Sequence, residues 1–88
     1  MRAEYTRNRR VDVSRVGRRA VLYHRDSREA VVLNPTGSWL WDQLSSQRTA
    51  DELAAAMQRH YGLPPDQASH EVDQFLAELR SHDAIVGV

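Results

Sequence analysis

The 88-residue sequence contains no cysteine and no lysine, only one phenylalanine, and no long apolar run. Without cysteine, thiol nucleophiles, disulfides, cysteine-based zinc sites and cysteine-ligated iron–sulfur clusters are excluded. No apolar run approaches the roughly 20 residues that a membrane-spanning helix needs. The arginine-rich N-terminus is not followed by the apolar segment of a secretory signal. We therefore expect a cytoplasmic protein with no membrane partner, small enough to form one domain.

Signals for catalysis are also scarce. The four histidines fall in different predicted elements and lack the spacing of metal ligands. The four glycines do not form a phosphate-binding loop, and no serine has the sequence context of a nucleophile elbow. We therefore predict a protein that is not an enzyme and that needs neither a cofactor nor a metal.

The charges cancel overall but are distributed unevenly. Residues 1–28 contain nine arginines and three acidic residues, whereas residues 29–88 contain three arginines and nine acidic residues. Such segregation predicts two electrostatically different surfaces, which bears on the choice of partners rather than on the fold.

Residues 11–33 have the composition of β-strands. A loose apolar series runs from Val11 to a turn at Gly17, and two denser apolar runs follow at residues 20–24 and 30–33. Two such runs separated by polar residues predict a hairpin. The last run is apolar at consecutive positions, which indicates that both faces of this strand are covered. Residues 1–10 are predicted to be a loosely ordered, arginine-rich tail that precedes a single domain of residues 11–88.

From Pro35 onward the apolar period changes to that of helices. Asn34 and Pro35 suit the N-cap and first position of one helix. Thr49 and Glu52 have the spacing of a capping box for a second helix, which Gly62 is suited to end.

The longest helix is predicted to begin at residues 64–66 and to end near His82, and Ile85 and Val86 suit a last short strand. Strands followed by helices predict an α+β domain. We expect a winged helix-turn-helix-like arrangement, in which a three-stranded antiparallel sheet is followed by three helices.

Two tryptophans lie close together in the first predicted helix. Trp41 falls on its apolar stripe and is assigned to the core, whereas Trp39 lies off the stripe. Trp39 therefore either covers the sheet or contacts a ligand.

A winged helix suggests DNA binding, in which the third helix would enter the major groove. This helix is acidic, and phosphates would repel it. Its acidic residues are Asp66, Glu71, Asp73, Glu78 and Asp83, against a single Arg80. Reading of a DNA groove is therefore not predicted, and only a contact through the arginine-rich tail stays open.

Residues 33–44, LNPTGSWLWDQL, resemble the strand-to-helix junction of PqqD-like proteins, the pyrroloquinoline quinone biosynthesis protein D family. The resemblance continues through RTADEL at 48–53, HYG at 60–62 and VDQFLAEL at 72–79. It covers about residues 11–86, nearly the whole chain.

The resemblance implies a non-catalytic peptide-recognition domain. Members of the family bind the leader segment of a ribosomally made, post-translationally modified precursor peptide. They deliver it to a maturation enzyme, such as a radical SAM protein, a leader peptidase or a cyclase. The order of elements that the family implies, three strands followed by three helices, agrees with the order predicted from the residue pattern.

The resemblance also implies where the leader binds, as an extra strand beside the third strand and against the third helix. Strand addition satisfies the unpaired backbone groups of a sheet edge, and pockets select the alternate side chains. The implied peptide-binding residues on the strand side are Arg28, Glu29, Ala30, Val31, Val32 and Leu33. On the helix they are Glu71, Val72, Gln74, Phe75, Glu78 and Leu79, whose acidic members would favour lysine or arginine in the leader.

Two other functions stay open at this point. One is a winged-helix DNA-binding protein, and the other is an accessory subunit that mainly stabilises its partner enzyme. A free sheet edge also permits pairing with a second copy, so a homodimer stays open as well. The arginine-rich N-terminal half would either dock the partner enzyme or only make the surface of the sheet more soluble.

Overall fold

The computed structural model describes residues 3–87 and has the predicted α+β architecture. The described elements are β1 (Glu4–Arg7), β2 (Val11–Val16), β3 (Arg19–His24), β4 (Ala30–Val32), α1 (Pro35–Gln43), β5 (Arg48–Thr49), α2 (Ala50–Tyr61), α3 (Pro65–Ser81) and β6 (Ile85–Gly87). The predicted order, a three-stranded antiparallel sheet followed by three helices, is confirmed for β2 to α3.

The main sheet has the strand order β2-β3-β4, so β3 is central and the other two strands are edges. Leu22 of β3 pairs with Val13 of β2 on one side and with Val31 of β4 on the other. A two-residue turn joins β2 to β3, and Gly17 adopts a φ of 61° there, a conformation that favours glycine.

A second sheet corrects the prediction of a loosely ordered tail at residues 1–10. Residues Glu4–Arg7 form β1, which pairs with β6 on one side and β5 on the other. The guanidinium of Arg7 donates to the carbonyl oxygen of Trp41 (2.6 Å) and lies 4.7 Å from the centre of its ring. This strand was missed because its partners are distant in the sequence. Met1 and Arg2 of the predicted tail, and Val88, lie outside the described residues.

The predicted helix ends are confirmed. The amide of Gly37 donates to Asn34 Oδ1 (2.7 Å), which caps α1. Thr49 and Glu52 form the reciprocal capping box of α2, and Gly62 ends that helix with a φ of 67°. These caps satisfy backbone groups locally, which explains why short sequence motifs were enough to find them.

The core lies between the inner face of the main sheet and the three helices. Trp41, as predicted, is buried in it with Leu22, Leu53 and Leu79. The buried hydroxyl of Ser38 accepts a hydrogen bond from the amide of Ala20 (2.7 Å) and so joins α1 to β3.

Trp39 is half-buried and forms an aromatic cluster with two residues at the end of α2. Its ring stacks on His60 with 4.5 Å between centroids and meets the edge of Tyr61 at 5.4 Å. Trp39 therefore packs α1 against the end of α2 and not against the sheet, which differs from the expectation that it covers the sheet.

Candidate functional site

The outer edge of β4 presents unpaired backbone groups. The amide of Leu33 donates to the carbonyl oxygen of Ala20 (2.9 Å). The amide of His24 donates to the carbonyl oxygen of Glu29 (3.0 Å). In an antiparallel pair, hydrogen-bonded and non-hydrogen-bonded residues alternate. Residues 29, 31 and 33 therefore point their backbone groups at β3, whereas Ala30 and Val32 direct their N–H and C=O groups away from it. No described strand pairs with this edge.

A groove of about 240 Å³ lies between β4 and α3. The residues that line it come from the end of β4, the first turns of α1 and one face of α3. They are Arg19, Val32, Leu33, Asn34, Thr36, Gly37, Leu40, Glu71, Gln74, Phe75 and Glu78. The open β4 edge thus has a helix facing it across a cleft.

The α3 wall of the groove combines one aromatic side chain with polar ones. Phe75 is 7% exposed and lies at the boundary between core and groove, because it belongs to the buried stripe of the helix. Gln74 and Glu78 are exposed, and Glu71 is half-buried. This wall therefore offers an apolar surface bordered by carboxylates.

The first turn of α1 forms one end of the groove. A Cβ placed on Gly37 would lie 3.2 Å from Asn34 Oδ1 and 3.9 Å from the Phe75 ring. Glycine therefore lets this turn approach α3 while keeping the cap of α1 intact. Arg19, at the start of β3, reaches the same groove from the sheet.

Two histidines lie at the other end of β4. His82 Nδ1 is 3.9 Å from Glu29 Oε2, which brings the residue before β4 close to the residue after α3. His24 is buried, and its Nε2 is 3.2 Å from Asp83 Oδ2. These contacts link the turn before β4 to the C-terminal end of α3.

The structure brings together half of the sequence-predicted site residues. Six of the twelve line the groove: Val32, Leu33, Glu71, Gln74, Phe75 and Glu78. Glu29 and Val31 line a smaller cavity beside His82, Arg28 lies in the turn before β4, and Ala30 is exposed on the strand.

The structure differs from the expectation for Val72 and Leu79. Both side chains are fully buried in the core, where they attach α3 to the rest of the domain. Neither is accessible to a ligand in this structure. They lie on the inner part of the apolar stripe, and the spacing of that stripe did not distinguish them from Phe75 at its border.

Five groove residues were missed by sequence reasoning: Arg19, Asn34, Thr36, Gly37 and Leu40. Four of these belong to the LNPTGSWLWDQL segment, so its position directly after β4 was a usable signal. Arg19 had no such signal, because it reaches the groove only through the pairing of β3 with β4.

Within residues 3–87, no group of three or more histidine, aspartate or glutamate side chains is arranged to hold a metal ion. In the same part of the chain, no helix has the length and apolar character needed to cross a membrane.

Comparison with known proteins identifies a family and a fold. The family model described as Coenzyme PQQ synthesis protein D (PqqD) matches residues 19–85. The solved structure "TbiB1 in Complex with the TbiA(beta) Leader Peptide" is 19% identical, with a TM-score of 0.83 over 91% of this chain and 93% of that one. For "Lasso peptide synthetase B1 complexed with the leader peptide" the identity is 16% and the TM-score 0.77, over 93% and 96% of the two chains. No curated protein matches this sequence.

Proposed function

Since the chain belongs to the Coenzyme PQQ synthesis protein D (PqqD) family, we propose that it captures the leader segment of a ribosomally made precursor peptide. The leader binds as an additional strand on the outer edge of β4 and lies against α3. The protein presents the bound peptide to a maturation enzyme and carries out no catalysis itself. Both structures of similar fold are described as complexes with a leader peptide.

The observation that carries this proposal is the open β4 edge beside the groove. The N–H and C=O groups of Ala30 and Val32 point away from β3 at the edge of the sheet. They lie next to a cleft whose far wall is α3. An extended peptide placed there gains main-chain hydrogen bonds from the strand and side-chain contacts from the helix.

The groove also indicates what kind of peptide fits. In an added strand, alternate side chains would point towards Phe75, which favours a large apolar residue at that register. Glu71 and Glu78 favour a lysine or arginine next to it. Arg19 reaches the same groove and favours an acidic residue near the start of α1.

The test is a fluorescence-polarisation titration of this protein with labelled synthetic leader peptides, taken from precursor peptides encoded beside its gene. We expect saturable binding to one leader. Ala30→Pro should weaken it by about tenfold or more, because proline removes an N–H donor and leaves a peptide carbonyl without its partner. The pairing of β4 with β3 should survive, since the lost N–H points away from β3.

Val13→Pro is the matched control. Val13 directs its N–H away from β3 as well, but at the opposite edge of the sheet, on β2. It should leave leader affinity within about twofold of wild type, as expected for a site away from the contact. Equal effects of the two prolines, or no binding of any leader by the folded wild-type protein, would exclude strand addition at β4. Binding of duplex DNA in place of peptide would favour the winged-helix DNA-binding alternative.

A further inference from the structure

The face of the main sheet that points away from the helices is unusually apolar. Its apolar residues, a set that we call the outer face, are Val16 of β2, Val21 and Tyr23 of β3, and Ala30 and Val32 of β4. The polar residues that point to the same side of the sheet are Asp12, Ser14 and Arg19. Val16, Tyr23 and Val32 are 68%, 41% and 58% exposed. An antiparallel sheet with one solvated face normally carries polar residues there. Among the described residues, no element covers the outer face.

Arginines surround the outer face at both ends of the strands. Arg18 and Arg19 follow the Gly17 turn at one end, and Arg28 lies in the β3–β4 turn at the other. None of these three has an ion-pair partner among residues 3–87. The carboxylate on this side of the sheet, Asp12, is paired with Arg25 (3.7 Å). Two copies that met through this face would therefore bring unpaired arginines together, which opposes a symmetric dimer. The surface fits an apolar patch that is bordered by carboxylates.

The outer face is continuous with the groove. Val32 belongs to both, because its side chain lies on the outer face while its backbone faces the open β4 edge. A strand added at that edge would place every second side chain on the outer face. A peptide bound as proposed would therefore enlarge this surface by one strand.

We propose that the outer face docks the maturation enzyme, through an apolar patch with an acidic border, and that the enzyme contacts the bound leader at the same time. This inference rests on the function proposed above. Docking and leader binding are then coupled, because the enzyme can contact both the outer face and the leader only after the leader has paired with β4. By linkage, the leader raises enzyme affinity by the same factor as the enzyme raises leader affinity.

The test uses the purified peptidase, cyclase or radical SAM protein encoded beside this gene, titrated by calorimetry against the full chain. The titrations are run with and without saturating leader peptide. Val16→Ser and Tyr23→Ser are each expected to lower enzyme affinity by about tenfold, as for an apolar anchor at an interface. Leader affinity alone should stay within about twofold of wild type, because neither side chain lies in the groove.

Val13→Ser is the matched control, since Val13 is 45% exposed on the same strand as Val16 but points to the opposite face of the sheet. It should change neither affinity. The inference is overturned if both outer-face variants bind the enzyme with wild-type affinity. It is overturned as well if they weaken leader binding as much as they weaken enzyme binding. It is also overturned if no neighbouring enzyme binds the leader-loaded protein, or if the face mediates self-association or DNA binding instead. Loss of leader binding by the wild-type protein would contradict the proposed function itself.

Discussion

The two edges of the main sheet differ in what lies beside them. Both β2 and β4 direct alternate backbone groups away from β3, and β2 is twice as long, with six residues against three. The β4 edge faces α3 across a groove, with Phe75 at its wall. The β2 edge carries charged side chains, including Arg15, which forms an exposed ion pair with Asp42. Charged residues are a common protection of free edges. Unpaired backbone groups are therefore common to both edges, and the helix wall that faces β4 is what distinguishes the proposed binding edge.

The largest expected effect concerns the packing of α3, the wall of the groove, against the core. Leu79→Ala should lower the free energy of unfolding by roughly 2–5 kcal/mol, because it removes a fully buried side chain of α3 and leaves a cavity. The affinity of the folded protein for the leader should change little, since Leu79 does not line the groove. Urea denaturation gives the stability, and a leader titration at low temperature gives the affinity. A large loss of leader affinity in the folded variant would mean that Leu79 contributes to the peptide contact after all.

A smaller effect is expected from the charge of the α3 wall. Glu78→Arg should weaken the binding of a leader that carries a lysine or arginine by roughly fivefold, because it replaces an attractive charge in the groove with a repulsive one. Asp73→Arg makes the same change on an exposed position of α3 outside the groove and should have little effect. Titration at low and high salt checks the cause, since screening should reduce the difference between the two variants.

The protection of the β2 edge can be removed. Arg15→Val breaks an exposed ion pair and should cost less than about 1 kcal/mol of stability. It should nevertheless promote pairing between copies, because Val11, Val13 and residue 15 would then form an apolar edge strand. Sedimentation equilibrium should show a mass that rises with concentration. Arg59→Val, at an exposed position of α2, should show no such rise, and equal association of both variants would contradict edge pairing.

The smallest effect concerns acid stability near the turn that leads to β4. The Arg10 side chain donates to Asp26 and holds the pKa of that carboxyl below its ordinary value. A lowered carboxyl pKa stabilises the fold above the unfolded-state pKa of about 3.9, and this contribution is lost as the pH falls through the folded-state value. Asp26→Asn should therefore slightly reduce the melting temperature at neutral pH and lessen its fall below about pH 4.

Asp73→Asn is the control for this measurement, since Asp73 is an exposed carboxylate in the middle of α3, away from the helix N-terminus and without an ion pair among residues 3–87. It should leave the pH profile as in the wild type. An Asp26→Asn profile identical to wild type would mean that the ion pair with Arg10 does not contribute to stability.

The groove residues divide into those that could be anticipated and those that could not. Phe75 and Glu78 were placed at the site through the family resemblance, and the groove contains both. Arg19 was not anticipated, because only the register of β3 against β4 brings it there. Leu79 was also placed at the peptide contact through the family resemblance, although it is fully buried. Its apolar spacing could not exclude it, because spacing marks a stripe but does not indicate where the core ends and the groove begins.

The sequence by itself determined the elements whose signals are local. Asn34 caps α1, and Thr49 with Glu52 caps α2, through hydrogen bonds that span three residues, so short motifs revealed both helix ends. The alternating and helical apolar periods likewise gave the order of strands and helices. Only the tertiary structure decided that Glu4–Arg7 form a strand, because their partners β5 and β6 lie more than 40 residues away in the chain. It also decided which sheet edge has a helix facing it and which sheet face lacks a cover, since both depend on contacts between distant segments.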